Sequence, residues 1–353
     1  MGVCNIAGYV GNKQAAPILI EMMRSQEGLD AGCYTGIATV DNGKIYYAKV
    51  VGDLEQLLQR TDAANLPGTI GIIHSRTPGD TGDTWAHPFV CDREGEVKTA
   101  LVANGGADCY LETIPISHYA DICQSLLDEG FTMQSRMPTN GKQLTLPDGS
   151  RVHITDGFCQ LISKKVLQGT DAVSAMMEAC QEYRIEIATL MLSAAESDAI
   201  VWARSNYPMH LGQTTHGTYL ATAPQCFPED AQIPYLLPPM AAGTVRGDGF
   251  TCRHFPEPLA TMAPVLPSLW AEAYNVICKA LSEGAKNIPE LEAIVEPLFE
   301  KAQCLQINTV VYMVLYELHR QNRLVMEERS KPGTYPHLTA PVYYIQLNDT
   351  DKK

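Results

Sequence analysis

Short apolar runs that stop at small or polar residues constrain this chain more than any other feature. They come in two groups. The first holds "NIAGYV", "TGIATV", "KIYYAKVV", "GTIGIIHSR" and "KTALVANGG"; the second holds "IEIATLMLSA", "AIVWARS" and "GTYLATA". Runs this short, rich in β-branched residues and bounded by Gly, Asn or Asp, predict strands. The "DNG" between "TGIATV" and "KIYYAKVV" predicts a hairpin turn. "AAPILIEMMRSQ" spaces Ile18, Leu19, Met22 and Met23 along one face of a helix. Residues 115–135 and 156–190 also predict helix, with a polar stretch and the turn "LPDGSRVHI" between them. Strands in two groups with helices between them predict stacked layers of sheet and helix.

At 353 residues, one large domain and one smaller domain are expected. Residues 251–267 carry Pro256, Pro258, Pro264 and Pro267 and predict a linker. Beyond it, "PSLWAEAYNVICKALSEG", "IPELEAIVEPLFEKAQ" and "NTVVYMVLYELHRQNRLV" predict three helices, and "GTYPHLTAPVYYIQL" predicts closing strands. The expected division is therefore 1–250, a 251–267 linker, and a small helical or winged-helix-like domain over 268–353.

Charge narrows the partners. The net charge of −14 disfavours nucleic-acid and acidic-membrane binding, which need a basic face. The tail from 265 to 353 has nine Lys/Arg against eleven Asp/Glu, so it lacks a DNA-binding footprint as well. A packing or dimerisation role is the expectation for it, and a homo-oligomer is one outcome. No apolar run reaches bilayer-spanning length and no secretory signal precedes the first strand. Eleven cysteines, odd in number and without a C-x-x-C, predict a reduced, cytoplasmic chain. The nine histidines show no metal-ligand spacing, and no glycine loop is built for phosphate. No metal or cofactor is expected.

Cys4 opens the first strand, in "CNIAGYVG". Taken alone it is a small buried residue. Its surroundings resemble the class II glutamine amidotransferases, N-terminal-nucleophile enzymes that begin C-G-I-x-G-Y-x-G. Five further stretches resemble the family in order: "IGIIHSR" with "WAHPF", "LVANGG", "ITDGFCQLI", "WARSNYPMHLG" and "THGTYLATA". The resemblance implies an α+β fold, a four-layer αββα sandwich, and the hydrolysis of glutamine to glutamate and ammonia. It implies that Cys4 is the nucleophile and forms a thioester. Asn104 and the Gly105 N–H would form the oxyanion hole. Arg76 would hold the α-carboxylate of glutamine, and Asp156 its α-ammonium. His87 is either a pocket residue or a structural histidine; His74 is read as structural.

The sequence also departs from the family. There the base is the free α-amine of the cysteine, with a reference pKa near ~8. Here Met1, Gly2 and Val3 precede Cys4, so cleavage after Val3 is required. The loop after Arg76 reads "TPGDTG" and lacks the family's aromatic residue. "DAGCYTGIA" lacks an arginine, Phe158 replaces a glutamate, and Ala103 replaces a histidine. The tail is too short for a synthase domain, so ammonia would pass to a synthase subunit or be released. Three readings stay open: a glutaminase, a non-catalytic amino-acid-binding or scaffold relative, and an amidase for another amide.

Overall fold

The computed structural model describes residues 3–79, 83–138, 144–232, 234–257 and 263–348. The chain starts with β1 (Asn5–Gly11) and α1 (Ala15–Gln26). The hairpin β2 (Tyr34–Asp41) and β3 (Lys44–Val51) follows, then α2 (Leu54–Arg60), β4 (Ile70–Arg76), β5 (Phe89–Arg93) and β6 (Glu96–Gly106). Next come α3 (Ile116–Asp128), the short pair β7 (Met137–Pro138) and β8 (Ser150–Arg151), α4 (Ile154–Leu167) and α5 (Ala172–Tyr183). The second strand group is β9 (Glu186–Ser193), β10 (Ile200–Arg204), β11 (His210–Thr214) and β12 (Gly217–Ala221). Four more strands follow: β13 (Tyr235–Leu236), β14 (Ala241–Arg246), β15 (Gly249–Phe250) and β16 (Arg253–His254). The tail is α6 (Pro267–Glu283), α7 (Ile288–Ala302), α8 (Ile307–Arg320) and the hairpin β17 (Leu324–Pro332) and β18 (Thr339–Leu347).

Two antiparallel sheets form the centre. One runs β13-β11-β12-β1-β4-β2-β3; the other runs β15-β14-β10-β9-β6-β5, with β16 also on β14. Side chains alternate along a strand, and the central strands β1, β2, β4, β9 and β10 are buried on both faces. Ile6, Val10 and Ile72 of the first sheet pack with Val102, Leu190 and Trp202 of the second. Their neighbours in sequence point the other way. Ala7, Tyr9 and Ile73 pack under α1 and α2, whereas Leu101, Ile187 and Met191 pack under α3, α4 and α5. The result is helix, sheet, sheet, helix. A Cβ on Gly8 would come within 2.9 Å of Leu190 Cδ1, so the sheets approach closely where β1 has no side chain.

Local chemistry explains the elements. Asn42 and Gly43 both have positive φ, the two-residue turn that suits a twisted hairpin. Asp53 and Asp171 cap α2 and α5 by accepting from Gln56 N and Ser174 N. The helix expected over 156–190 is two helices and the start of a strand. Gly169 has φ +95, and Asp171 begins a second helix, so the run breaks there. From Glu186 the chain is β9, where alternation across a sheet replaces the helical spacing.

The expected linker is part sheet. Ala241 pairs with His254, so the second sheet extends into 251–267, and α6 starts on Pro267 as its first residue. Pro258 lies outside the described residues. The tail is not separate from the sandwich. Ile277, Leu291, Val311 and Leu315 belong to the same apolar cluster as the inter-sheet residues. Tyr312 Oη donates to Asn5 Oδ1 at 3.3 Å, and Tyr343 Oη donates to Arg24 O. Three helices and a hairpin occur in the expected order, with the hairpin folded back on α1. Among the described residues no helix is long and apolar enough to cross a membrane.

Candidate active site

Register brings the pieces together. Asn5 pairs with Ser75, so antiparallel continuation sets Cys4 opposite Arg76 at one end of the first sheet. Asn104 and Gly105 end β6 of the facing sheet, opposite Ala188 and Ile187. Between these strand ends lies a cavity of about 380 Å³ that touches Cys4, Arg76, His87, Asn104 and Gly105. Five of the six residues singled out from the sequence thus meet around one space.

Cys4 is half-buried. Its N–H donates to Asn104 Oδ1 at 3.1 Å, and its Sγ is 3.8 Å from Thr77 Oγ1. Burial pushes its thiol up, opposed by the Arg76 guanidinium and by Thr77. Asn104 is 1% exposed; its oxygen is spent on Cys4, and its Nδ2 has no partner. A buried donor left open at the wall of a cavity is the arrangement that a developing oxyanion needs. Gly105 has φ +117, and a Cβ there would lie 2.2 Å from Glu186 O. Only glycine fits, which lets the backbone turn beside Cys4.

Arg76 ends β4. Its guanidinium lies 5.0 Å from the Tyr34 ring and 5.6 Å from the Trp85 ring. Those faces hold the charge flat, and Nη1 is buried without a partner. Three histidines pack in a row: His74 and His87 have ring centroids 4.0 Å apart, and His87 and His153 5.5 Å. Burial comes first among the causes that push all three below the usual imidazole range, His74 to about 3. They are neutral at pH 7. His87 lines the cavity, and neither ring nitrogen has a partner. His74 sits behind it with Nε2 on Ala103 O, and His153 Nδ1 caps α4 by accepting from Thr155 N.

Asp156 is the exception. It is fully buried, it does not touch the cavity, and both its oxygens are engaged. Oδ2 accepts from Ser135 N and Oγ, each at 2.7 Å, and Oδ1 accepts from Gln160 Nε2. It stands in the first turn of α4, held by Ser135 and Gln160 rather than by the cavity that Arg76 borders. Sequence reading also missed other residues that the cavity touches, among them Thr77, Asp108, His153 and Tyr207. Tyr207 stood inside a quoted stretch, but nothing local marked its ring as a wall. Part of the loop after Arg76, residues 80–82, lies outside the described residues.

The cavity is tied to the tail through Arg204, which is fully buried. Nε donates to Tyr207 O and Nη1 to Leu237 O, both at 2.6 Å; Nη2 donates to Asn206 O, Gln306 Oε1 and Thr309 Oγ1. Asn206 Nδ2 in turn donates to Glu186 Oε2, and Glu186 O borders Gly105. The segment behind the end of β6 is thus clamped by the first turn of α8.

No family model matches the chain. Similarity appears instead to individual proteins. The glutamine–fructose-6-phosphate aminotransferase (isomerizing) of Chlorobaculum tepidum is 30% identical over 217 residues, 60% of this chain and 30% of that protein. Its namesake in Mesorhizobium japonicum is 27% identical over 214 residues, with the same coverages. The chain resembles the class II, N-terminal-nucleophile glutamine amidotransferases. Solved structures agree in fold. The glutamine phosphoribosylpyrophosphate amidotransferase of B. subtilis superposes with a TM-score of 0.57 at 14% identity, covering 85% of this chain and 64% of that one. A structure described as the allosteric regulatory enzyme of purine biosynthesis gives 0.59 with the same identity and coverages. The amidotransferase-like chain spans 30% of the length of the two aminotransferases just named.

Proposed function

We propose that this chain hydrolyses a glutamine-type side-chain amide to the acid and ammonia, with Cys4 as nucleophile. The observation that carries the reading is Asn104: its Oδ1 holds the Cys4 nitrogen while its buried Nδ2 is open to the cavity. Cys4 Sγ adds to the amide carbon. Asn104 Nδ2 and the Gly105 N–H receive the oxyanion, ammonia leaves, and water resolves the thioester. Arg76 holds a carboxylate of the substrate, and neutral His87 offers a hydrogen bond beside it. The base is the α-amine of Cys4, which exists only after residues up to Val3 are removed. The ammonia passes to a separate synthase subunit or to solvent. The three tail helices and hairpin, in winged-helix order, serve to buttress the site.

One observation favours a second reading. Val3 is fully buried, and its N–H donates to Asp30 Oδ2 at 3.0 Å, with Lys331 Nζ 3.7 Å from Asp30 Oδ1. Held in place, Val3 keeps the Cys4 nitrogen an amide, and the site then binds an amide without cleaving it. Mass spectrometry of the N-terminal peptide from the native host, followed by an ammonia assay, separates the two. A chain that begins at Cys4 and releases ammonia, with no release from Cys4→Ala, supports the enzyme. An intact Val3 and no release refutes it.

A further inference from the structure

The cavity has two unlike walls. One is polar: Arg76, His87 and Asn104. The other is apolar: Leu111, Ile116, Leu144, Val152 and Ile154. Leu111 and Ile116 are each 44% exposed, large apolar side chains facing solvent beside a polar centre. At about 380 Å³ the space suits a ligand larger than one amino acid, since pockets for drug-sized ligands start near ~300 Å³.

The charges are unbalanced for an amino-acid zwitterion. Arg76 has a buried, open N–H for a carboxylate. The buried acid in this region, Asp156, is enclosed by Ser135 and Gln160. Asp108 is the one acidic residue among the described residues that touches the cavity, and it stands exposed at the rim. A free ammonium beside Arg76 would lose water and meet no buried carboxylate among the described residues that line the cavity.

We propose that the site takes a glutamine-type amide whose α-nitrogen is acylated: an Nα-acylglutamine, or the C-terminal glutamine of a peptide. This rests on the hydrolytic reading above and names its substrate class. Acylation removes the ammonium, leaves the carboxylate for Arg76, and sends an apolar group along Leu111, Ile116 and Leu144. The chemistry balances. The thiol proton leaves with the amide nitrogen as ammonia, and a thioester forms. Water then gives the Nα-acylglutamate and restores the thiol.

The test uses the full chain beginning at Cys4 and measures ammonia from glutamine, Nα-acetylglutamine, Nα-benzyloxycarbonylglutamine and acetyl-Leu-Gln. The expected kcat/KM is about tenfold higher for benzyloxycarbonylglutamine than for glutamine. Leu111→Asp should shrink that ratio toward one. Comparing acetyl-Leu-Gln with benzyloxycarbonylglutamine tells a peptide source from a small molecule. In parallel, calorimetry on Cys4→Ala should show tighter binding of benzyloxycarbonylglutamine than of glutamine. Glutamine turned over or bound equally well, or a ratio untouched by Leu111→Asp, overturns the acyl site and leaves the hydrolase reading intact. If no amide releases ammonia, the hydrolase reading falls, and the calorimetric preference alone decides the acyl site.

Discussion

Replacing Arg204 by methionine should loosen the joint between the cavity and the tail. Five donations disappear, but not all five acceptors are orphaned. Asn206 O still accepts from Thr309 Oγ1 at 2.8 Å, and the Thr309 hydroxyl remains satisfied by that donation. Tyr207 O, Leu237 O and Gln306 Oε1 lose their Arg204 donors inside the protein. Each buried acceptor left bare costs about 1–3 kcal/mol, so the gross loss is about 3–9 kcal/mol. Against it, the variant no longer strips water from a guanidinium, whose burial pushes it down to about 9; that relief is worth several kcal/mol. The expected net loss is ~3 kcal/mol. Trp202 lies two residues away on β10 and is fully buried, so urea unfolding followed by fluorescence reads this region directly. Circular dichroism should move with it, because tail and sandwich share one core. A midpoint unchanged or raised would refute the idea that the guanidinium holds the two together. Thr309→Val supplies the companion: in a double-mutant cycle with Arg204→Met it should couple by about 1 kcal/mol.

Three further outcomes are expected. Gly105→Ala should cost about 2–4 kcal/mol and remove activity, because its Cβ meets Glu186 O; Gly106→Ala, whose Cβ would have only Asp108 Oδ2 nearby at 4.0 Å, should stay within about 1 kcal/mol, as paired thermal melts can check. Asn104→Ala should lower kcat about 10²–10³-fold with KM little changed, as steady-state ammonia release reads. Glu292→Gln should remove a pH dependence of stability. Burial raises this carboxyl to about 8, against the hydrogen bond from Asn308, so the folded chain holds a proton that the unfolded chain has lost. Its destabilising effect is absent below about pH 4.5, grows as pH rises and is complete above about 8. The variant should therefore gain a few kcal/mol over the parent at pH 8.5 and nothing at pH 4. Equal differences at both pH values would show that the group does not titrate in this way.

What the sequence determined by itself was local or strongly patterned. Alternation along "NIAGYV" and "GTIGIIHSR" set which residues face the other sheet, because successive side chains on a strand point to opposite faces. Asn42 and Gly43 set the first hairpin, since few residues tolerate positive φ twice in succession. The spacing of Ile18, Leu19, Met22 and Met23 set α1 at the bounds it has. The stretches around Cys4, Arg76 and Asn104 were legible as a site because each resembles a known pattern within a few residues. Where two periods met, as between α5 and β9, the reading failed at the boundary. Tertiary structure decided the rest. Asp156 follows Thr155 in a recognisable stretch, yet Ser135, twenty-one residues earlier, turns it inward. Tyr207 and Leu111 become walls only when the two sheets close. The proline-rich stretch predicted a linker before a small packing domain, but not which residues that domain would meet: Arg204 and Tyr312 tie it to strands more than a hundred residues before it. A side chain's neighbours along the chain select its backbone shape; its partners across the core decide where its polar atoms point.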